Sequence, residues 1–248
     1  MSTSSGSTDR PVKLFAFLRR RAGTSRTEFH DYWEQRHAPF FADTPEVRRH
    51  IRRYELHHRL PADEDRERSD LEVADAGFDG VAVQWFDSLA EYQALRDEPK
   101  YQEFSPKDAP RYREADVAMV ITGEPDVIVG PPGGAAGAGL GFLCILRRKP
   151  GWALPEFHDH WLKIHGGLFQ TIPELRDPLL GYEQNHGLDL RDATYDGVTQ
   201  QWFGSLEEWA RSLEAPAHRD VVGPDVDSFL DPESIHFVLA APPTVVIA

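Results

Sequence analysis

Eleven histidines are spread along the chain, and three of them, His30, His37 and His58, return in its second half as His158, His165 and His186. Phe29, Trp33 and His37 are four residues apart, which puts them on one helical stripe that must face a sheet; His165 repeats this position. An imidazole at the end of such a helix feels a dipole that favours its cation and a burial that favours its neutral form. The balance could poise His37 and His165 as general acid/base groups near neutrality. The competing reading is a cap that bonds the last helical carbonyls. A second constellation pairs Tyr54 with His58 and Tyr182 with His186. Strand alternation points each phenol and imidazole to one side. A phenol that donates to a carbonyl or enolate oxygen, beside an imidazole that moves a proton at the adjacent carbon, is enough for dehydration, cyclisation or enolisation without a metal. Both groups could equally sit at the solvated edge of a strand, and His57 points the other way, to the surface. Trp85 and Trp202 read either as aromatic walls for a flat ligand or as plain core, with Gln84 and Gln201 as ligand-binding candidates on the opposite strand face.

Other chemistries find little support. His158 and His160 are two apart on a helix and point to different sides, and no His-Glu-x-x-His run occurs, so no metal is expected. The lone Cys144 lies in an apolar strand and reads as core. Neither a Gly-x-Ser-x-Gly elbow nor a phosphate loop is present.

The elements that must hold these residues come in two copies. Glu28-Phe29-His30-Asp31-Tyr32-Trp33 recurs as Glu156-Phe157-His158-Asp159-His160-Trp161, and at the same spacing Arg20 meets Arg148, Tyr54 meets Tyr182 and His58 meets His186. From Phe78 to Phe86 the match continues with Tyr195 to Phe203 at a shorter spacing, so the first half carries an insertion, which falls in the acidic stretch 61–76 and reads as a solvated loop. Two long repeats are duplicated domains and not a solenoid. The expected organisation is a disordered tail 1–11, a first repeat 12–129, a Gly/Pro linker 130–139 and a second repeat 140–248.

Within each repeat the pattern predicts a strand (12–20; 140–148), a helix opened by the Ser25/Glu28 capping box or by Pro155, and a half-polar strand at 51–60. A strand at 80–86, a helix behind Ser88 or Ser205 and a strand at 116–122 or 235–240 follow, with short apolar tails at 127–129 and 245–247 that could pair beyond it. The order βαββαβ is the ferredoxin-like plan, an α+β fold. A four-stranded sheet with helices on one face leaves the other open, and two such faces cover each other when they pair.

Composition sets the outer bounds. With 41 acidic and 27 basic residues in 248, the net charge of −14 offers no general footprint for nucleic acid. The charge-free run 127–146 is broken by prolines and glycines, which argues against a membrane-spanning helix. Residues 1–11 lack the apolar core of a signal peptide, so the cytoplasm is the expected compartment.

The Glu-Phe-His-Asp-x-Trp-x-x-x-His run (Glu28 to His37; Glu156 to His165), the aromatic at Tyr54 and Tyr182, and Gln-Trp-Phe followed by Ser-Leu (Gln84 to Leu89; Gln201 to Leu206) resemble the EthD family of the dimeric α/β-barrel superfamily, here as a tandem repeat. The resemblance implies two ferredoxin-like units forming a barrel within one chain. It also implies the company of small lyases and cyclases, cofactor-independent oxygenases, haem-degrading relatives and accessory proteins of hydrocarbon degradation. The leading expectation is a cofactor-free lyase or isomerase, of dehydratase or cyclase type, acting on a small apolar or aromatic carbonyl compound. Its partner is that small molecule, with a homodimer of the tandem chain as a further possibility. A ligand-binding accessory protein and a haem-binding or cofactor-free oxygenase are the alternatives.

Overall fold

The computed structural model describes residues 9–60, 77–134 and 136–248. The expected loop at 61–76 and most of the expected N-terminal tail lie outside the described residues.

Strand β1 (Val12–Arg20) leads into helix α1 (Arg26–Tyr32), which passes through a π-helical turn (Trp33–His37) into α2 (Ala38–Asp43). The capping box forms as expected: Glu28 N–H donates to Ser25 Oγ (3.1 Å), and Ser25 N–H donates to the Glu28 carboxylate (2.7 Å). A short α3 (Pro45–Arg48) precedes β2 (Arg53–His58) and β3 (Gly80–Phe86). Helices α4 (Leu89–Asp97) and α5 (Pro99–Tyr112) then lead to β4 (Arg113–Thr122) and the short β5 (Asp126–Val129). The second half repeats the plan with β6 (Leu140–Leu146), α6 (Leu154–His160), a π-helical turn (Trp161–His165), α7 (Gly166–Thr171), α8 (Pro173–Arg176), β7 (Gly181–His186) and β8 (Gly197–Phe203). Helix α9 (Leu206–Leu213), a π-helical turn (His218–Val222), α10 (Gly223–Phe229), β9 (His236–Ala240) and β10 (Thr244–Ile247) complete it.

The ten strands form two antiparallel five-stranded sheets, in the orders β10-β2-β3-β1-β4 and β5-β7-β8-β6-β9. Four strands of each sheet come from one half and the fifth comes from the other. Thr244 of β10 sits opposite Leu56 of β2, and Asp126 of β5 sits opposite Gln184 of β7. The apolar tails do not extend their own sheets beyond the fourth strand; they cross over and satisfy the open edges of β2 and β7, whose backbone groups would otherwise face solvent.

Strand alternation sorts the side chains into two layers. Phe15, Phe17, Val81 and Val83 of the first sheet pack on Leu143, Ile145, Val198 and Val238 of the second, so the two open faces cover each other. The opposite faces meet their own helices, through Phe29, Trp33 and Phe41 in the first half and Phe157, Trp161 and Phe169 in the second. One cation crosses between the sheets. Lys13 Nζ, on β1, donates to Glu183 (3.4 Å), Asn185 (3.1 Å) and Gln200 (2.5 Å) on β7 and β8, and lies over the Trp85 ring.

Candidate active site

Each half encloses a cavity between its helices and the outer face of its sheet. The first, about 640 Å³, is lined by Trp33, His37 and Phe41 from the first helix, Tyr54 and Gln84 from the sheet, and Tyr101 and Tyr112 from α5. Its counterpart in the second half holds about 190 Å³ and includes His165, Phe169, Tyr182 and Gln201. Only the first falls within the span of about 300–1,000 Å³ usual for small-molecule sites.

His37 is not at a helix end, as its spacing had suggested. The helix continues past it because the chain inserts a π-helical turn, in which Ala38 N–H bonds Trp33 O, and Pro39 is tolerated in the next turn. His37 therefore caps no carbonyl. Its Nδ1 lies 2.8 Å from Asp108 Oδ2, and Asp108 Oδ1 accepts from the Tyr32 hydroxyl at 2.7 Å. Burial pushes the His37 imidazole below its ordinary pKa, against the opposing pull of Asp108. Burial works against the Asp108 carboxylate too, yet the bonds from His37 and Tyr32 keep its pKa below the usual value. The consistent protonation state is a neutral imidazole with its proton on Nδ1, donated to a charged carboxylate. Its Nε2 lone pair is then the ring's remaining polar atom on a residue that lines the cavity.

The second half builds the same arrangement. His165 Nδ1 is 2.8 Å from Asp225 Oδ2, and His160 Nε2, in the place of Tyr32, is 2.8 Å from Asp225 Oδ1. Asp108 and Asp225 escaped the sequence reading, although a signal was there: the shorter spacing that relates Phe78–Phe86 to Tyr195–Phe203, carried forward, sets Asp108 opposite Asp225.

Tyr54 shares the first cavity with His37, and the Phe41 ring touches both. Its hydroxyl accepts from Trp33 Nε1 (3.3 Å), and burial raises its pKa, so it stays protonated; among the described residues nothing takes its proton. Tyr182 accepts from Gln184 (3.0 Å), with its pKa pushed up to about 12 by burial. Gln84 and Gln201 line the two cavities.

His58 and His186 lie outside both cavities. Each stacks edge-on or tilted against a histidine and a tryptophan, His58 with His30 and Trp33, His186 with His158 and Trp161. They belong to a packing motif that explains much of the repeat. His30 Nε2 meets the Asp79 carbonyl (2.8 Å) and His158 Nε2 the Asp196 carbonyl (3.1 Å). A Cβ at Gly80 would come within 2.6 Å of the Trp33 ring, and one at Gly197 would run into the Trp161 ring, so glycine lets the indole lie on the strand.

Trp85 and Trp202 face the other sheet surface and line a third cavity of about 730 Å³ at one end of the barrel, with Lys13, Glu55, His57 and Glu183. His57 is buried there, not on the surface, because that strand face is covered by the second sheet. Several charges of this chamber pair with one another, Lys13 with Glu183, and Glu55 with Arg53 (2.7 Å) and His57 (3.2 Å). Cys144 is buried, with its pKa pushed up to about 12 by burial, which keeps the thiol inert. Among the described residues no group of three or more His, Cys, Asp or Glu could hold a metal, and no helix is long and apolar enough to cross a membrane. A haem would not fit the cavity of about 190 Å³; in the larger one, His37 would be the residue to hold it.

The two halves, their barrel and the repeated helix motif define a tandem ferredoxin-like protein of the dimeric α/β-barrel kind. The EthD domain model matches residues 21–114 and 149–233, more than half of the chain, and the protein belongs to this family. Similar solved structures include an anthrone oxidase-like protein (10% identity, 97% of this chain and 94% of that one, TM-score 0.66). A putative monooxygenase from Lactobacillus acidophilus (12%, 95% and 95%, 0.51) and a chlorite dismutase from Candidatus Nitrospira defluvii (11%, 94% and 91%, 0.53) are also similar. At these identities the likeness concerns the fold. No curated protein matches the sequence.

Proposed function

We propose that the protein is a proton-transfer enzyme of lyase or isomerase type, which works in the first-half cavity on a small aromatic or apolar carbonyl compound. One observation carries this reading: a buried His37–Asp108 pair, joined at 2.8 Å, on the wall of a cavity of ligand size. Nε2 of neutral His37 takes a proton from the carbon next to the ligand's carbonyl. Asp108 holds the imidazole in the right tautomer and stabilises the imidazolium. The Tyr54 hydroxyl donates to the enolate oxygen, and the proton held on His37 returns to the ligand or to a leaving hydroxyl.

The test uses anthrone and 2-tetralone as enolisable probes in D2O, with exchange of the activated C–H followed by NMR. The full chain should accelerate exchange over buffer, His37→Ala should lose roughly 10²-fold or more of that acceleration, and His165→Ala should keep it. Exchange no faster than in buffer, or unaltered by His37→Ala, would overturn the proposal. Tight binding of the probes without exchange would favour the accessory-protein reading. A Soret band in the purified protein would instead favour haem on His37.

A further inference from the structure

The duplication supplies an internal control for what the first cavity is built to hold. At three places where the two cavities correspond, a polar residue of the first half faces an apolar one of the second: Arg96 against Leu213, Ser105 against Val222 and Arg113 against Leu230. The strand pairing places the last couple independently, since Arg113 sits opposite Arg20 and Leu230 opposite Arg148, itself the match of Arg20.

Among the described residues neither Arg96 nor Arg113 has a carboxylate partner, in a chain with 41 acidic residues. Arg113 donates to the backbone carbonyl of Glu114 (2.8 Å) and lies against the Tyr112 hydroxyl, and its charge bears on His37, Tyr54 and Tyr112. Arg96, at the mouth, donates to the Tyr92 hydroxyl (3.2 Å). Elsewhere the arginines at the sheet ends are neutralised, Arg20 and Arg148 by Asp79 and Asp196, and Arg147 by Asp231. In the barrel-end chamber Lys13 and Arg53 are likewise paired, with Glu183 and Glu55. Two guanidiniums without a salt bridge thus line one cavity, Arg113 half-buried in its wall and Arg96 exposed at its mouth beside Asp97.

We propose that the first-half cavity selects a planar aromatic acid, whose carboxylate is received by Arg113 with Arg96 at the entrance, while the rings of Phe41, Tyr54 and Tyr112 hold the aromatic body. The inference rests on the reading of this cavity as the ligand site. A guanidinium is suited to a carboxylate because its planar fork matches the two oxygens, and partial burial strengthens the pair. The enolate oxygen that forms during turnover is served by Tyr54, so the arginines act on a charge the ligand carries throughout. Such uniform binding lowers KM and leaves kcat largely alone.

The experiment titrates the full chain with 2-naphthoate and its uncharged isostere 2-naphthamide, followed by calorimetry. The acid should bind about tenfold or more tightly than the amide. Arg96→Leu/Arg113→Leu, which installs the residues the second half already carries, should abolish the preference and leave amide binding in place. Arg113→Gln serves as a second variant should the double change disturb folding. Equal affinity for the two probes, a preference that survives in these variants, or binding of neither probe would overturn the inference. His37→Gln separates the two proposals: it should keep the acid preference while C–H exchange is lost. An acid preference in a protein that never accelerates exchange would sink the catalytic reading alone, and exchange without acid preference would sink this one alone.

Discussion

At the scale of single residues, the distinctive feature is a histidine whose second nitrogen is already committed. Asp108 sets the tautomer of His37, and burial keeps the ring neutral, so the base form persists to lower pH than in a free imidazole. The acid limb of a C–H exchange profile should therefore fall below the ordinary histidine value of about 6.5. Asp108→Asn removes the charge that raises the His37 pKa, so the limb should move to still lower pH while the exchange rate drops by about 10²-fold or more. A rate and profile unchanged by that substitution would show that Asp108 does not serve the base. The mirrored pair His165–Asp225 adjoins a cavity of only about 190 Å³, and Asp225→Asn is expected to leave exchange unaffected.

Element packing supplies a pH dependence of a different kind. Between the first helix of each half and its sheet, His58 and His186 lie half-buried against aromatic rings, and burial and the neighbouring His30 or His158 push their pKa values down to about 4 and about 3. The carboxylates of Glu34 (3.2 Å from His58 Nε2) and Asp126 (3.4 Å from His186 Nε2) lie close, but among the described residues the ring nitrogens form no hydrogen bonds. Below the ordinary value the unfolded chain binds protons that the folded one refuses. Stability is thus complete above pH 6.5 and is lost as pH falls toward the folded values, by on the order of 3 kcal/mol per histidine. Urea unfolding at a series of pH values should show this decline, and His58→Phe/His186→Phe should flatten it; an equally steep decline in the double variant would place the acid sensitivity elsewhere.

For the molecule as a whole, the devices that hold the two halves include the apolar layer between the sheets, the exchanged fifth strands and the Lys13 cross-link. Lys13 stands where the second half has Gly141, so the cross-link runs one way only. Lys13→Met leaves Glu183 buried without its cation, which should cost about 3–5 kcal/mol in unfolding experiments. Lys13→Met/Glu183→Gln should recover part of that loss. Full stability in Lys13→Met would mean that the cross-link contributes nothing to how the sheets meet.

Much of this was legible along the chain because it is periodic or local. Repetition exposed the two halves, alternation and capping boxes located the strands and helix starts within a few residues, and strand phase put Gln84 on the face opposite Trp85 and Tyr54 on one face with His58. Those features depend on neighbours a few residues apart, so the amino-acid order alone determined them. What only the tertiary structure decided depends on groups far apart in sequence. Asp108 reaches His37 across the helical layer; β5 and β10 leave their own halves for the other sheet; His57 is buried because a second sheet covers it. The inequality of the cavities belongs here too. Arg96, Ser105 and Arg113 each look like ordinary polar positions in the sequence, and only their convergence on one wall, against leucine and valine on the other, distinguishes the two halves.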